Sequence, residues 1–210
     1  MNIINHLKNI YGYGTPILLK NLRIGGKSKE AIRQELSRAC KRNEITRNSN
    51  GIYYFIEEKE FPKEVSFEDV IIKKFIKDDF LFPGLNFNVY GYFTGLTFLN
   101  SIGITTQVPA IPEIVTNNTS CKRFYVSGSF KALLRKPKVE IDFRNYKALQ
   151  FFDIFYYLSE REIEDNKSIL LEYIEKNLTK MDFKKYIHLY SPKVVKIMVE
   201  KGLIDAFRWR

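Results

Sequence analysis

Little in this chain invites thiol, imidazole or metal chemistry. It has only two cysteines, Cys40 and Cys121, in no CxxC spacing. That excludes a disulfide framework and a thiolate zinc site, and leaves two reduced thiols. The two histidines, His6 and His188, lie far apart in helical patterns, so no Ser-His or Cys-His nucleophilic pair is available. No metal, cofactor or catalytic residue is expected. Apolar runs such as Ile52 to Ile56 and Ile154 to Leu158 fall far short of the roughly 18 residues a membrane span requires. The opening residues lack the apolar core of a signal peptide. No membrane association and a cytoplasmic location are therefore expected.

Acidic residues are scarce in the first quarter of the chain. Up to Phe55 only Glu30, Glu35 and Glu44 face ten Lys and Arg, a net charge of +7 out of +10 for all 210 residues. Concentrated positive charge of this kind is the electrostatic footprint of a nucleic-acid binder. With 45% hydrophobic and 15% aromatic residues, the chain has the apolar surface for two small folded domains.

The basic segment has its own grammar. Ser28 is a good helix N-cap, Glu30 suits the first turn, and Lys41 and Arg42 suit the last. At 100° per residue Ile32, Leu36, Ala39 and Cys40 form one stripe. Glu30, Gln34, Ser37, Arg38 and Lys41 lie opposite, flanked by Arg33. Next, Ile45 to Arg47 and Ile52 to Phe55 read as strands joined by Asn48-Ser49-Asn50-Gly51, where Asn-Gly is a strong hairpin signal. Upstream, Asn2 to Tyr11 carries apolar residues on one helical face. Thr15-Pro16 reads as a cap-then-proline start for a second helix through Leu22, closed by Gly25-Gly26. The expected order of helix, helix, glycine turn, helix and hairpin is that of a winged helix-turn-helix over 1–56.

The charged, proline-containing stretch 57–65 reads as a linker, and the second domain is expected over 66–210. Ser66 to Lys77 is a capped amphipathic helix, and Leu81 to Asn88 is turn-rich around Pro83-Gly84. Gly91 to Gly95 leads into a buried helix, Leu96 to Ser101. It lacks the lysine and strand context of a phosphate-binding loop, so its glycines are assigned to close packing. Ile111–Thr116, Arg123–Val126, Lys131–Arg135 and Val139–Phe143 predict a small, mainly antiparallel sheet. After about 144 the pattern is helical: Leu149–Leu158, Lys167–Asn177, Asp182–Tyr190 and Pro192–Lys201. The expected class is α/β.

Gly91 to Asn117, above all Gly103-Ile104-Thr105-Thr106-Gln107-Val108-Pro109, resembles the AbiEi-type antitoxins of type IV toxin-antitoxin and phage abortive-infection systems. Ala31 to Tyr53, with Leu36-Ser37-Arg38 and Gly51-Ile52-Tyr53, resembles the winged-helix part of the same family. The resemblance implies a repressor that binds inverted repeats in its own promoter. It also implies an antitoxin domain that neutralises a nucleotidyltransferase-like toxin without requiring a stable complex. The residues assigned to DNA are Lys29, Arg33, Gln34, Ser37, Arg38 and Lys41 on the helix, with Arg47, Asn48 and Asn50 on the hairpin. Gln34 and Arg38 are taken as base readers because their forked groups match adenine and guanine edges. Two copies on adjacent half-sites would form a dimer on a palindromic operator. Thr105, Thr106 and Gln107 are either an antitoxin surface or a structural turn.

Two further readings remain open at this level. Lys138-Val139-Glu140-Ile141-Asp142, as a strand, would put Glu140 and Asp142 on one face with Lys138, the donor set of a metal-dependent nuclease. A winged-helix regulator with no toxin partner is the third.

Overall fold

A computed structural model describes residues 2–57, 65–78, 88–126 and 131–207. The chain is a mixed α/β protein. Its described residues cluster into two compact units, the first taking in residues up to 74 together with Asp78, the second residues 75–77, 88–126 and 131–207. Most of the expected linker, and the turn around Pro83-Gly84, lie outside the described residues.

In the first unit, α1 (Ile3–Tyr11) is capped by Asn2, whose side chain accepts the Ile4 N–H at 2.9 Å. It buries Ile3, Ile4 and Leu7. The expected second helix does not form. Ile17–Leu18 is instead a strand, β1, followed by a single 3-10 turn at Leu19–Asn21. Ile17 and Leu18 are both buried, and successive strand residues face opposite ways, so this run has apolar cover on both faces. An uninterrupted apolar run carries no periodicity to separate strand from helix.

The 13-residue helix α2 (Lys29–Lys41) forms as expected, with Ser28 Oγ accepting the Ala31 N–H at 3.1 Å. Ile32, Leu36 and Ala39 are buried beneath it. The helix ends at Arg42, after which Asn43 takes a left-handed φ of 58°. The hairpin follows as β2 (Thr46–Ser49) and β3 (Ile52–Tyr54). Only Gly51 of its Asn-Gly turn has positive φ, at 75°. The register slips between Arg47 and Ser49, a bulge at Asn48. β3 is the central strand of a three-stranded antiparallel sheet ordered β1-β3-β2. The core joins residues from α1, β1, α2 and the hairpin, with Phe55 and Leu36 fully enclosed.

Ser66 caps α3 (Phe67–Ile71), which runs on as a π-helical turn over Ile72–Ile76. Lys73 shows why this segment belongs to the first unit up to Lys74. Its amino group is buried, donates to the Pro16 carbonyl at 3.2 Å and lies 4.9 Å from the centre of the Tyr11 ring.

In the second unit, β4 (Lys77–Asp78) and β5 (Asn88–Val89) form a short ribbon. A four-stranded mixed sheet follows, from β6 (Gly91–Thr94), β7 (Glu113–Thr116), β8 (Arg123–Val126) and β9 (Ala132–Arg135) in the order β6-β7-β9-β8. Its outer pairings are antiparallel and the central β7–β9 pairing is parallel. Val139–Phe143 is not a strand. The Ile141 backbone is paired by the Asn117 side-chain amide (2.9 and 3.0 Å), and the Asp142 N–H by Asn145. Side chains satisfy groups that a neighbouring strand would otherwise serve.

α4 (Gly95–Ser101) continues from β6. Five more helices complete the described chain: α5 (Tyr146–Asp153), α6 (Glu160–Asp165), α7 (Lys167–Asn177), α8 (Lys180–Tyr186) and α9 (Pro192–Glu200). α6 adds to the helical tail expected from sequence, and is opened by a capping box between Ser159 and Glu162. α5 lies against β6, where Gln150 donates to the Phe93 carbonyl at 2.8 Å. The fully buried Phe151 and Phe152 anchor the aromatic core, Phe151 stacking on Tyr173 at 5.4 Å.

Both packing glycines are explained by crowding. A Cβ at Gly95 would stand 2.9 Å from Glu113 Oε2, and one at Gly91 would stand 2.0 Å from the Phe75 carbonyl oxygen and 2.8 Å from that of Val115. The atoms at Gly91 are backbone and cannot rotate away. Gly91→Ala should destabilise the second unit by at least about 2 kcal/mol through forced overpacking, read as a drop in denaturation midpoint. An unchanged midpoint would show that the strand shifts freely there.

Candidate nucleic-acid interface

The polar face of α2 and the hairpin enclose one open groove of about 590 Å³. Arg33, Gln34, Ser37 and Lys41 enter it from the helix, and Arg47 and Asn50 from the hairpin. Their helical spacing accounts for the grouping, because these four helix positions fall within one narrow arc. Leu19, Cys40, Gly51 and Tyr53 also line the groove. A second groove of about 370 Å³ shares Leu19, Arg33, Asn50 and Gly51 with it, and adds Lys20, Lys29 and Lys74 against the single acid Glu30.

The hairpin side is internally braced. Arg47 Nη2 donates to Asn50 Oδ1 at 2.9 Å, and its Nε approaches the Ser49 carbonyl at 3.4 Å. The Leu19 N–H donates to the Gly51 carbonyl at 2.9 Å, tying the turn to the end of β1. Burial raises the Cys40 thiol above its ordinary range, with the Arg47 charge opposing. It is therefore a packing residue beside the groove rather than a thiolate.

Of the residues assigned to DNA from sequence, Arg33, Gln34, Ser37, Lys41, Arg47 and Asn50 line the first groove, and Lys29 lines the second. Arg38 and Asn48 line neither. Arg38 lies on the shoulder of α2 that carries Glu35, with its guanidinium 3.9 Å from that carboxylate and its side chain 66% exposed. Arg42, on the same shoulder, binds Glu44 through two contacts of 2.9 Å and sits 3.8 Å from Glu35. Lys20 and Lys74 escaped the sequence reading. Lys20 sat in a stretch read as helix, and Lys74 comes from a segment assigned to the other domain. Lys20 donates to the Lys74 carbonyl at 3.3 Å, and burial lowers the Lys74 ammonium below its usual range.

Thr105, Thr106 and Gln107 occupy the irregular connection after α4 in the second unit. Thr105 Oγ1 accepts the Gln107 N–H at 3.1 Å, and the Thr105 carbonyl accepts from Asn100 at 3.0 Å. Thr106 and Gln107 are exposed. The Lys138, Glu140 and Asp142 alignment required of a nuclease strand is absent. Asp142 Oδ1 instead accepts the N–H groups of Arg144 and Asn145 at 2.8 and 2.9 Å, turning the chain into α5.

A buried polar cluster lies elsewhere in the second unit. The Tyr92 hydroxyl donates to Asp153 Oδ2 at 2.8 Å. Burial pushes the Asp153 carboxyl up to about 6, against the opposing Tyr92 hydrogen bond and the Lys138 charge. Burial also raises the Tyr157 hydroxyl, helped by the Glu113 carboxylate, which is paired with Arg135.

No protein-family model, curated protein or solved structure matches the chain.

Asp153 gives a signed pH test. Its folded carboxyl keeps a proton up to about pH 6, whereas in an unfolded chain it releases it near 3.9. Between those values the folded state binds more protons, so this group's contribution to stability falls as pH rises and is lost above about 6. Asp153→Asn cannot ionise. Its stability relative to the parent should rise by up to about 3 kcal/mol between pH 4 and 7, measured by urea unfolding at each pH. A difference that stays constant with pH would show that Asp153 titrates as it does in the unfolded chain.

Proposed function

We propose that the first unit is a winged helix that places α2 in the major groove of operator DNA, and that the protein represses its own promoter while its second unit acts as an antitoxin. The observation that carries the DNA reading is the shared groove, where Arg33, Gln34, Ser37 and Lys41 of α2 meet Arg47 and Asn50 of the hairpin. The element order supports it too. Helix, strand, short turn, helix and hairpin, with β1 paired to β3, is consistent with a winged helix whose middle helix has shrunk to one turn.

On this reading Gln34 is the leading base reader, since its amide can pair bidentately with adenine. Arg33 is next, from the same face. Arg38 takes a phosphate role at the rim, consistent with its place beside Glu35. Lys41, Lys29 and Lys20 bind phosphate, and Arg47 and Asn50 follow the backbone beside the groove entered by α2. Two copies on half-sites one turn apart, about 34 Å, would read an inverted repeat. The antitoxin role rests on the resemblance of Gly91 to Asn117 to AbiEi-type antitoxins. Its partner would be a nucleotidyltransferase-like toxin.

Fluorescence anisotropy against the protein's own upstream DNA and a scrambled duplex, at two salt concentrations, tests the DNA half. Gln34→Ala should cost about 1 to 3 kcal/mol on the promoter and far less on scrambled DNA. Lys41→Ala should weaken both and lower the salt slope by about one. Equal, salt-dependent binding to both duplexes would reduce the groove to a generic basic surface. Co-expression with a toxin encoded beside this chain tests the other half, and unrelieved growth arrest would remove the antitoxin assignment.

A further inference from the structure

The second unit carries a basic, aromatic surface that the proposed operator contacts do not use. From Lys122 to Lys138 the sequence has six Lys and Arg and no acidic residue, although residues 56–210 as a whole carry only +3. The sheet register concentrates part of that charge. β8 is an edge strand, with no neighbour beyond it among the described residues. On it Arg123 stands directly opposite Arg135 of β9. Like charges facing one another across a strand pair are unfavourable unless something neutralises them. Arg135 is neutralised by Glu113. Arg123 is exposed and makes no ion pair among the described residues.

Aromatic rings continue the surface. Arg135 lies 5.7 Å from the centre of the Tyr157 ring. Tyr156, the neighbour of Tyr157, is 50% exposed and accepts a hydrogen bond from Lys138 at 3.3 Å. The Lys138 ammonium stands 4.6 Å from the Tyr190 ring and 5.1 Å from that of Tyr156. On β8, Tyr125 sits on the same sheet face as Arg123 and is 47% exposed. Asp153, near the Lys138 end, is half-buried, and its carboxylate accepts the Tyr92 hydroxyl at 2.8 Å, so it is already engaged within the protein.

We infer that Arg123, Arg135 and Lys138, with Tyr125 and Tyr156, form a binding surface for single-stranded nucleic acid. Separated cations on an extended strand follow a flexible phosphate backbone, and exposed tyrosine rings supply faces on which unpaired bases stack. Stacking selects a single strand over a duplex, whose bases are already stacked. An acidic polypeptide would satisfy the cations but leave the rings unused.

The test uses the full chain carrying Arg33→Ala and Arg47→Ala, which weakens the first unit's groove. A fluorescein-labelled 12-nucleotide single strand, as RNA and as DNA of the same sequence, is titrated and followed by anisotropy. In this background Arg123→Glu and Tyr125→Ala should each weaken binding at least fivefold. Lys196→Glu, on the exposed face of α9, should change it less than twofold. Circular dichroism and a melting curve for each variant confirm that it remains folded. Preference for the RNA strand assigns the ligand as RNA, and equal affinities assign it as either single strand. The inference is overturned if Arg123→Glu and Tyr125→Ala both bind like the parent. It is also overturned if duplex DNA or polyglutamate displaces the single strand as well as unlabelled single strand does. Because the same weakened groove is present in every variant compared, failure here leaves the operator reading intact.

Discussion

The two-residue pairing of β1 with β3 governs the first unit. Ile17 pairs with Tyr53 and Leu18 with Ile52. The contact is extended by hydrogen bonds from the Gly14 N–H to the Phe55 carbonyl and from the Leu19 N–H to the Gly51 carbonyl. An isolated two-stranded hairpin is marginal in water. Here β3 is flanked on both sides, which fixes the height of the turn relative to α2. This ladder holds the groove wall that carries Asn50 and Gly51, while Arg33 on the facing wall is carried by α2.

Why some of this was legible from sequence and some was not comes down to whether the signal was local. α2 carries its own start, stop and apolar stripe, so Ser28, Ile32, Leu36 and Ala39 took their expected places. The hairpin was announced by Asn50-Gly51. Ile17-Leu18-Leu19 offered only three consecutive apolar residues. What made two of them a strand was Ile52 and Tyr53, more than thirty positions later. Val139 to Phe143 failed for a related reason: alternation was present, but Asn117 and Asn145 took the backbone groups that would have made a ladder. The extra helix α6 did have a local signal, the capping box from Ser159 to Glu162. The grouping of site residues was half legible. Helical spacing gathered Arg33, Gln34, Ser37 and Lys41, while Lys20 and Lys74 required the tertiary fold.

Charge is handled differently on the two shoulders of α2. On one, Glu35 and Glu44 neutralise much of Arg38 and Arg42 through exposed pairs, each of small energetic value in water. On the other, around the groove, Glu30 is the one acid beside four basic side chains, Lys20, Lys29, Arg33 and Lys74, of the second groove. The helix is thus electrically one-sided, a distribution that would orient an approaching polyanion before any contact forms.

The bulge at Asn48 has a consequence for the thermodynamics of recognition. By slipping the register it leaves Arg47 folded back over the turn, already bonded to Asn50. A free surface arginine surrenders much rotamer entropy when it docks. Arg47 has already surrendered it on folding. A ligand meeting this wall must exchange one hydrogen bond for another, so the net gain in binding strength is modest while the penalty for a misfitting shape is large. On the proposed operator reading, the hairpin would act as a gauge of ligand geometry more than as an adhesive.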